Sequence, residues 1–356
     1  MTRLEDKFQF DVIIGNPPYQ EEAKGDSTQT PPIYHLFMEE AYNISPIVSF
    51  ITPARFLFNA GATPKKWNQK MLNDPHFKII DYIQDSSVVF PTTDIKGGVA
   101  ISYRDENKEY IPIDVFTSYS ELNGILHKVT PQLDHTMNEI ITGRGVYKLS
   151  DKALEDYPEI INIQSKGHSK DVGSSAFKIL ENIVFFKEKQ NEDDVAVIGR
   201  INNQREIWWI KREYLSTPES FNYYKVILPK ANGSGAIGEV LSTPLIGEPL
   251  IGEPLIGHTE TFISIGKFIS LNHAENLMKY IKSKFARAML GVLKITQDNT
   301  RDKWAKVPMQ DFTDSSDIDW SKSISEIDQQ LYRKYGLSDE EIQFIEEKVR
   351  SMEEED

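Results

Sequence analysis

Residues 11–20 read Asp11-Val12-Ile13-Ile14-Gly15-Asn16-Pro17-Pro18-Tyr19-Gln20, and their reading decides the fold. The short β-branched run predicts a buried strand, and Gly15-Asn16-Pro17-Pro18-Tyr19 predicts a rigid turn at its carboxyl end. In open α/β sheets that edge is where ligands bind. The two prolines fix φ and carry no N–H, so neither strand nor helix continues through them. An amide side chain, two bare carbonyls and an aromatic ring are thereby held in one stiff loop.

Such a loop suits a particular chemistry. The exocyclic amine of a nucleobase is a poor nucleophile because its lone pair is delocalised into the ring. Two acceptors aimed at its N–H bonds draw it towards tetrahedral geometry and free the lone pair. Asn16 Oδ1 supplies one acceptor and the Pro17 carbonyl the other, both fixed before reaction. Tyr19 offers a face on which a flipped base can stack. A proline-rich turn after a strand is the plain structural alternative, but it does not need this Asn and this Tyr in this order.

The chain here resembles the S-adenosylmethionine-dependent adenine-specific DNA methyltransferases of bacterial restriction–modification systems, in particular their Eco57I-like and TaqI-like branch. Beyond Asn16-Pro17-Pro18-Tyr19, the resemblance continues through the apolar-faced helix of Ile33 to Tyr42. It then takes in the strand Ile47 to Pro53 with Ala54-Arg55-Phe56-Leu57, and the order Ile79–Ile83, Val88-Val89-Phe90-Pro91, Gly98–Tyr103. By that resemblance Asn16, Pro17, Pro18 and Tyr19 are catalytic, and Phe90 packs on the other face of the adenine, making a sandwich with Tyr19. Without the resemblance Phe90 reads as an ordinary core residue.

The resemblance also implies a cofactor, S-adenosylmethionine, held by a glycine-rich loop and an acidic residue upstream of the catalytic motif. Here that motif begins sixteen residues from Met1, and no later glycine cluster follows a strand into a helix. The expectation is therefore an α/β fold of three parts. Residues 1–115 form a partial Rossmann-like methyltransferase sheet whose amino-terminal cofactor half is missing. Residues 116–310 form an α+β target-recognition domain, and residues 311–356 a short helical acidic tail. The cofactor-binding residues are unknown on this reading, and exposed sheet edges and apolar surface predict poor solubility for the chain alone.

Composition narrows the class. At 356 residues with 39% hydrophobic content there is material for two cores, and no cysteine provides a disulfide, a thiolate or a Cys-ligated metal. No metal is expected. Neither a secretion signal nor a run of eighteen apolar residues stands in the sequence, so no membrane partner and a cytoplasmic location are expected. The net charge of −14 is uneven: residues 311–356 hold 15 Asp/Glu against 5 Lys/Arg, whereas residues 260–310 hold 9 Lys/Arg against 4 acids. A local basic surface is what phosphate contact requires. The closing Glu353-Glu354-Glu355-Asp356 run reads as solvated.

Downstream, Ile140-Ile141-Thr142-Gly143-Arg144-Gly145 resembles the opening of the family's recognition domain. Ala196–Gly199 and Arg205–Lys211 read as strands, with Trp208 and Trp209 facing opposite sides so that one is buried. Lys225–Pro229 runs into a polar loop, Lys230-Ala231-Asn232-Gly233-Ser234-Gly235, where Lys230 and Asn232 are candidates for phosphates or base edges, as are Arg301 and Lys303 in the closing segment. A five-residue unit follows in tandem: Leu245-Ile246-Gly247-Glu248-Pro249, Leu250-Ile251-Gly252-Glu253-Pro254, then Leu255-Ile256-Gly257-His258. The unit is too short for a solenoid and reads as a loop extension, encoded by a fifteen-base repeat whose copy number can change in frame. Asn272 with Glu275 predicts the start of one helix through Val292, with Lys282 and Arg287 off its apolar stripe, solvated or touching phosphate. Two more helices are predicted, from Ile324 to Tyr335 before Gly336, and after Ser338 with Glu341.

These readings favour site-specific methylation of the adenine 6-amino group in double-stranded DNA. The implied partners are the duplex, a separate polypeptide supplying the cofactor half, and a cognate restriction endonuclease. The alternatives are a DNA-specificity polypeptide without independent catalysis, an RNA methyltransferase, or a protein-glutamine methyltransferase, the last disfavoured by the 240 or so residues after the catalytic elements.

Overall fold

Strand β1 (Val12–Gly15) lies parallel to β2 (Ile47–Pro53), Val12 opposite Ile47 and Gly15 opposite Phe50. Helix α1 (Tyr34–Ile44) makes the crossover that a parallel pair needs, burying Tyr34, Met38 and Ala41 at helical spacing. The computed structural model describes residues 10–21, 30–143, 145–232 and 247–352. Arg144, the Gly233-Ser234-Gly235 loop, Leu245-Ile246 of the first repeat copy and the Glu353–Asp356 run lie outside the described residues.

The chain divides into two units, Met1–His127 and Lys128–Asp356. In the first, α2 (Lys65–Leu72) leads to β3 (Phe77–Ile83), and β4 (Val99–Asp105) inserts antiparallel between β2 and β3, giving the order β1-β2-β4-β3. The sheet is thus mixed. Only a 3-10 turn at Ser86–Val88 lies between β3 and β4, so the chain has no crossover helix there and returns antiparallel. The core gathers Met38, Phe50, Phe56, Trp67, Met71 and Phe77, with Phe56 and Trp67 ring centroids 5.1 Å apart. Helix α3 (Ser120–Val129) closes this stretch of chain.

The expected burial of β1 is not what the structure has. Among the described strands it has a neighbour on one side only, and Val12 and Ile14 are exposed, Ile14 by 79%. Its β-branched run fits a strand, but burial needs neighbours on both faces as well as the right residues.

The second unit opens with β5 (Lys148–Leu149) and three short helices, α4 (Asp151–Asp156), α5 (Ile160–Ile163) and α6 (Ala176–Ile179). A hairpin follows, β6 (Asp194–Ile201) and β7 (Gln204–Lys211), turned by Asn202 and Asn203, both at positive φ. Trp208 is buried and stacks on Phe177 at 5.0 Å, while Trp209 lies on the opposite, half-buried face. Then come β8 (Leu215–Ser216), paired with β5, and β9 (Tyr224–Pro229).

The repeat is not a loop extension. Its second copy forms β10 (Leu250–Gly252), antiparallel to β9, and its third forms β11 (Ile256–His258), parallel to β6. With β12 (Phe262–Phe268) these complete two three-stranded sheets, β10-β9-β12 and β11-β6-β7. Leu-Ile-Gly is apolar and β-branched, and Glu253-Pro254 ends β10 and separates it from β11, so the unit suits short strands.

The basic helix is also corrected. Instead of one helix there are two, α7 (Leu271–Lys282) and α8 (Lys284–Gly291), broken at Ser283, whose side chain accepts from the Ala286 N–H. The cap position of α7 is Ser270, and Asn272 lies inside the helix. Helix α8 is buried all round, from Phe285 to Gly291, and α7 is covered at Lys282 as well, so residues reckoned to face outward have no solvent face. Lys282 is buried and pairs with Glu248 at 2.9 Å, and Arg287 is fully buried with Nε donating to the Lys282 carbonyl. Neither is solvated or free for phosphate. Helices α9 (Ile324–Lys334) and α10 (Asp339–Lys348) start at capping boxes of Ser323 with Glu326 and Ser338 with Glu341. They pack on α8: Tyr335 stacks on Phe285 at 4.9 Å, and Asp328 accepts from the N–H groups of Lys284 and Phe285. Among the described residues no helix is long and apolar enough to cross a membrane.

Candidate active site

The loop after β1 is held from below. The Ile33 N–H donates to the Tyr19 carbonyl and the Glu21 N–H to the Pro31 carbonyl, each at 3.1 Å, so residues 19–21 run beside 31–33. Pro17 is buried, and Asn16 is exposed. Among the described residues neither the Asn16 amide nor the Pro17 carbonyl has a hydrogen-bond partner, which leaves both acceptors available to an incoming amine.

Tyr19 borders a cleft of about 820 Å³ within the first unit, together with Gln20, Tyr34, Arg55, Asp94 and Lys96. Its hydroxyl is buried without a hydrogen-bond partner, and burial pushes its pKa up to about 12, so the phenol stays neutral. Phe90 sits on the loop between β3 and β4. That loop is stapled by Ser86, whose hydroxyl accepts from the Ile95 N–H at 2.8 Å and donates to the Thr93 carbonyl at 3.2 Å. The structure brings Tyr19 and Phe90 together, ring centroids 6.2 Å apart, but at 85° to one another. They meet edge to face and are not the parallel pair that a sandwiched base requires.

In the second unit, the four residues proposed for nucleic-acid contact fall on two laced segments. The Asn232 N–H donates to the Gln297 carbonyl at 2.8 Å, and the Asn299 N–H to the Lys230 carbonyl at 2.7 Å. Arg301 follows at once; its Nε donates to the Asn138 carbonyl, and it borders a cavity of about 440 Å³ with Asn138, Thr142 and Asp302. Lys303 is paired with Asp302 at 2.9 Å. Lys294 is one of the nine basic residues of 260–310 that the charge count assigns to a basic surface. It is instead buried beneath this lacing, Nζ donating to the carbonyls of Asn232 and Thr296 at 2.8 Å, and burial lowers its pKa to about 8. No pattern in the sequence marks it, because its partners are main-chain atoms more than sixty residues away or of no sequence character.

Residues 2–90 match the Eco57I restriction-modification methylase family. The matched segment holds Asn16, Pro17, Pro18, Tyr19 and, at its last position, Phe90. A curated relative described as an uncharacterized adenine-specific methylase, from Mycoplasma pneumoniae (strain ATCC 29342 / M129 / Subtype 1), is 33% identical over 94 residues, covering 26% of this chain and 22% of the relative. The aligned stretch thus spans less than a quarter of that relative's length. Among solved structures, the type IIG restriction endonuclease BpuSI aligns with 97% of this chain and 55% of its own at 10% identity and a TM-score of 0.31. The type IIL restriction-modification enzyme MmeI, solved in complex with DNA, aligns with 95% and 56% at 10% identity and a TM-score of 0.30. Superpositions this loose add no argument to the sequence match.

Proposed function

We propose that this chain serves site-specific methylation of the adenine 6-amino group in double-stranded DNA, within a restriction–modification system. The observation that carries this reading is the Asn16-Pro17-Pro18-Tyr19 loop at the carboxyl end of β1, with two unpartnered acceptors beside an aromatic-walled cleft. The target adenine leaves its helix and stacks on Tyr19. Asn16 Oδ1 and the Pro17 carbonyl accept from its two amine N–H bonds, which localises the nitrogen lone pair for in-line attack. The Tyr19 phenol, neutral at physiological pH, contributes its face only. Lys230, Asn232, Arg301 and Lys303 hold the duplex by phosphate and base-edge contacts.

S-adenosylmethionine supplies the electrophilic methyl group when bound. The glycines of the repeat do not fit a site for it: Gly252 and Gly257 are strand residues, closely packed on Ile227 and Tyr147. A second reading, a DNA-specificity polypeptide that relies on another chain for the donor, is favoured by the outer edge of β1, which has no strand beside it among the described residues.

The test is methyl transfer from labelled S-adenosylmethionine to duplex DNA by the full chain, with and without the polypeptide encoded immediately upstream. Label recovered as N6-methyladenine supports the proposal, and label that needs the second polypeptide selects the second reading. Label on RNA or on protein glutamine, with none on DNA, defeats both.

A further inference from the structure

Arg55 borders the Tyr19 cleft, and its side chain is held by two turns at once. It follows β2 in a 3-10 turn, Ala54–Phe58, and its Nε donates to the Lys96 carbonyl at 2.7 Å. The aliphatic stem passes between Gly61 and Gly97. A Cβ at Gly61 would stand 3.3 Å from Arg55 Cβ and Cδ, and one at Gly97 would stand 3.0 Å from Arg55 Cγ. Both glycines have φ near +87°, a conformation that side-chain-bearing residues rarely adopt.

Each turn is itself fixed. On one side the Thr63 hydroxyl donates to Asn68 Oδ1 at 2.8 Å, and Asn68, buried, donates onward to Asn59 Oδ1 at 3.2 Å. On the other, the Gly98 N–H donates to Ile95 O, the Ala54 N–H to Gly98 O, and the Tyr82 hydroxyl to Gly97 O. Among the described residues Arg55 pairs with no carboxylate. Asp94 and Lys96 line the same cleft, so with Arg55 the charged lining is net positive.

A guanidinium whose stem is clasped, whose Nε is already used and whose two terminal NH₂ groups pair with no carboxylate among the described residues is pre-organised for an external anion. Its planar fork matches two oxygens of a phosphate. We propose that Arg55 clamps the phosphodiester adjoining the nucleotide whose base enters the Tyr19 cleft. This rests on the functional reading above and adds a positioning residue to it. Arg55 grips the backbone and so sets how far the base can travel towards Asn16.

The probe is a 30-base-pair duplex carrying one extrahelical adenosine, alone or with an uncharged methylphosphonate on one side of that nucleotide. For the wild-type full chain, the methylphosphonate on the contacted side weakens binding about tenfold. Arg55→Ala binds the unmodified duplex about tenfold more weakly, no longer responds to the methylphosphonate, and loses about one from its log K against log salt slope. Arg55→Lys keeps the salt slope but not the full affinity, since it keeps charge and loses the fork. An unchanged melting temperature for both variants excludes misfolding. If Arg55→Ala and the methylphosphonate penalties simply add, at either position, the clamp is wrong while the functional reading stands. If the wild type binds no duplex, the functional reading fails first.

Discussion

Phe90 meets Tyr19 edge to face, with ring centroids 6.2 Å apart and planes at 85°. A planar base can enter between them only after one ring turns, so the two aromatics do different work before and after a base arrives. Tyr19 is the ring with the freer face on the cleft, and its hydroxyl makes no hydrogen bond. Tyr19→Phe is therefore expected to keep methyl transfer and to leave stability unchanged or slightly raised, because a buried unsatisfied hydroxyl is removed. Tyr19→Ala is expected to lose about 1–3 kcal/mol of base stacking, read as weaker binding of the extrahelical-adenosine duplex. Equal losses in both variants would assign the role to the hydroxyl instead of the ring.

Asn16 is exposed and its amide has no partner among the described residues, so it costs the fold little. Asn16→Ala should change unfolding free energy by no more than about 0.5 kcal/mol. The same substitution should lower the rate of methyl transfer by about 10²–10³, the usual consequence of losing one pre-positioned electrostatic group. Single-turnover kinetics beside a denaturant melt separates the two effects. A large fall in stability would mean that Asn16 is a structural turn residue.

His258 is buried, with Nδ1 2.9 Å from the Thr259 carbonyl and Nε2 3.2 Å from the Ser264 hydroxyl. Nδ1 thus carries the proton and Nε2 accepts, which is the neutral imidazole, and burial lowers its pKa from 6.5 to about 4. Below pH 6.5 the unfolded chain takes up a proton that the folded chain refuses until about pH 4. Stability is full above pH 6.5 and falls as pH drops through that window, by roughly 3 kcal/mol at most. Unfolding free energy measured from pH 7 to 4 should show this slope, and His258→Gln should flatten it. An unaltered slope in the variant would place the acid sensitivity elsewhere.

Asp328 on α9 caps α8 by accepting from two backbone N–H groups, those of Lys284 and Phe285. Asp328→Asn swaps one acceptor oxygen for a donor and leaves one of those N–H groups without a partner. A loss of about 1–3 kcal/mol in urea denaturation is expected. A neutral result would mean that the tail helices dock without this cap.

The strand and turn of Val12 to Tyr19 were legible because their signal is local, and two prolines permit few conformations. The tail helices were legible for the same reason, Ser338 and Glu341 capping across a single turn. What was not legible depends on partners distant in sequence. Arg55 stood in a recognised peptide, but its clasp is made by Gly61 and Gly97, invisible until the loops meet. Lys282 and Arg287 read as outward because both lie off the apolar stripe, but segments distant in sequence cover that side too: Glu248 pairs with Lys282, and α8 is buried all round. The mixed order of the first sheet was hidden as well, because strand runs such as Ile79–Ile83 and Val99–Tyr103 do not state their direction.

The tandem repeat puts one peptide into two different strand slots. Its second copy lies on β9, whereas its third, ending in His258 instead of Glu-Pro, lies on β6 with that imidazole buried. Removing Leu250–Pro254 leaves Leu245–Pro249 directly before the His258 copy, so the slot on β9 is refilled by an identical tenant. His258, its Nε2 3.2 Å from the Ser264 hydroxyl, fixes the third copy in its place on β6. Whole units added or removed before Leu255 therefore leave a Leu-Ile-Gly for the slot on β9 and the His258 copy for the slot on β6.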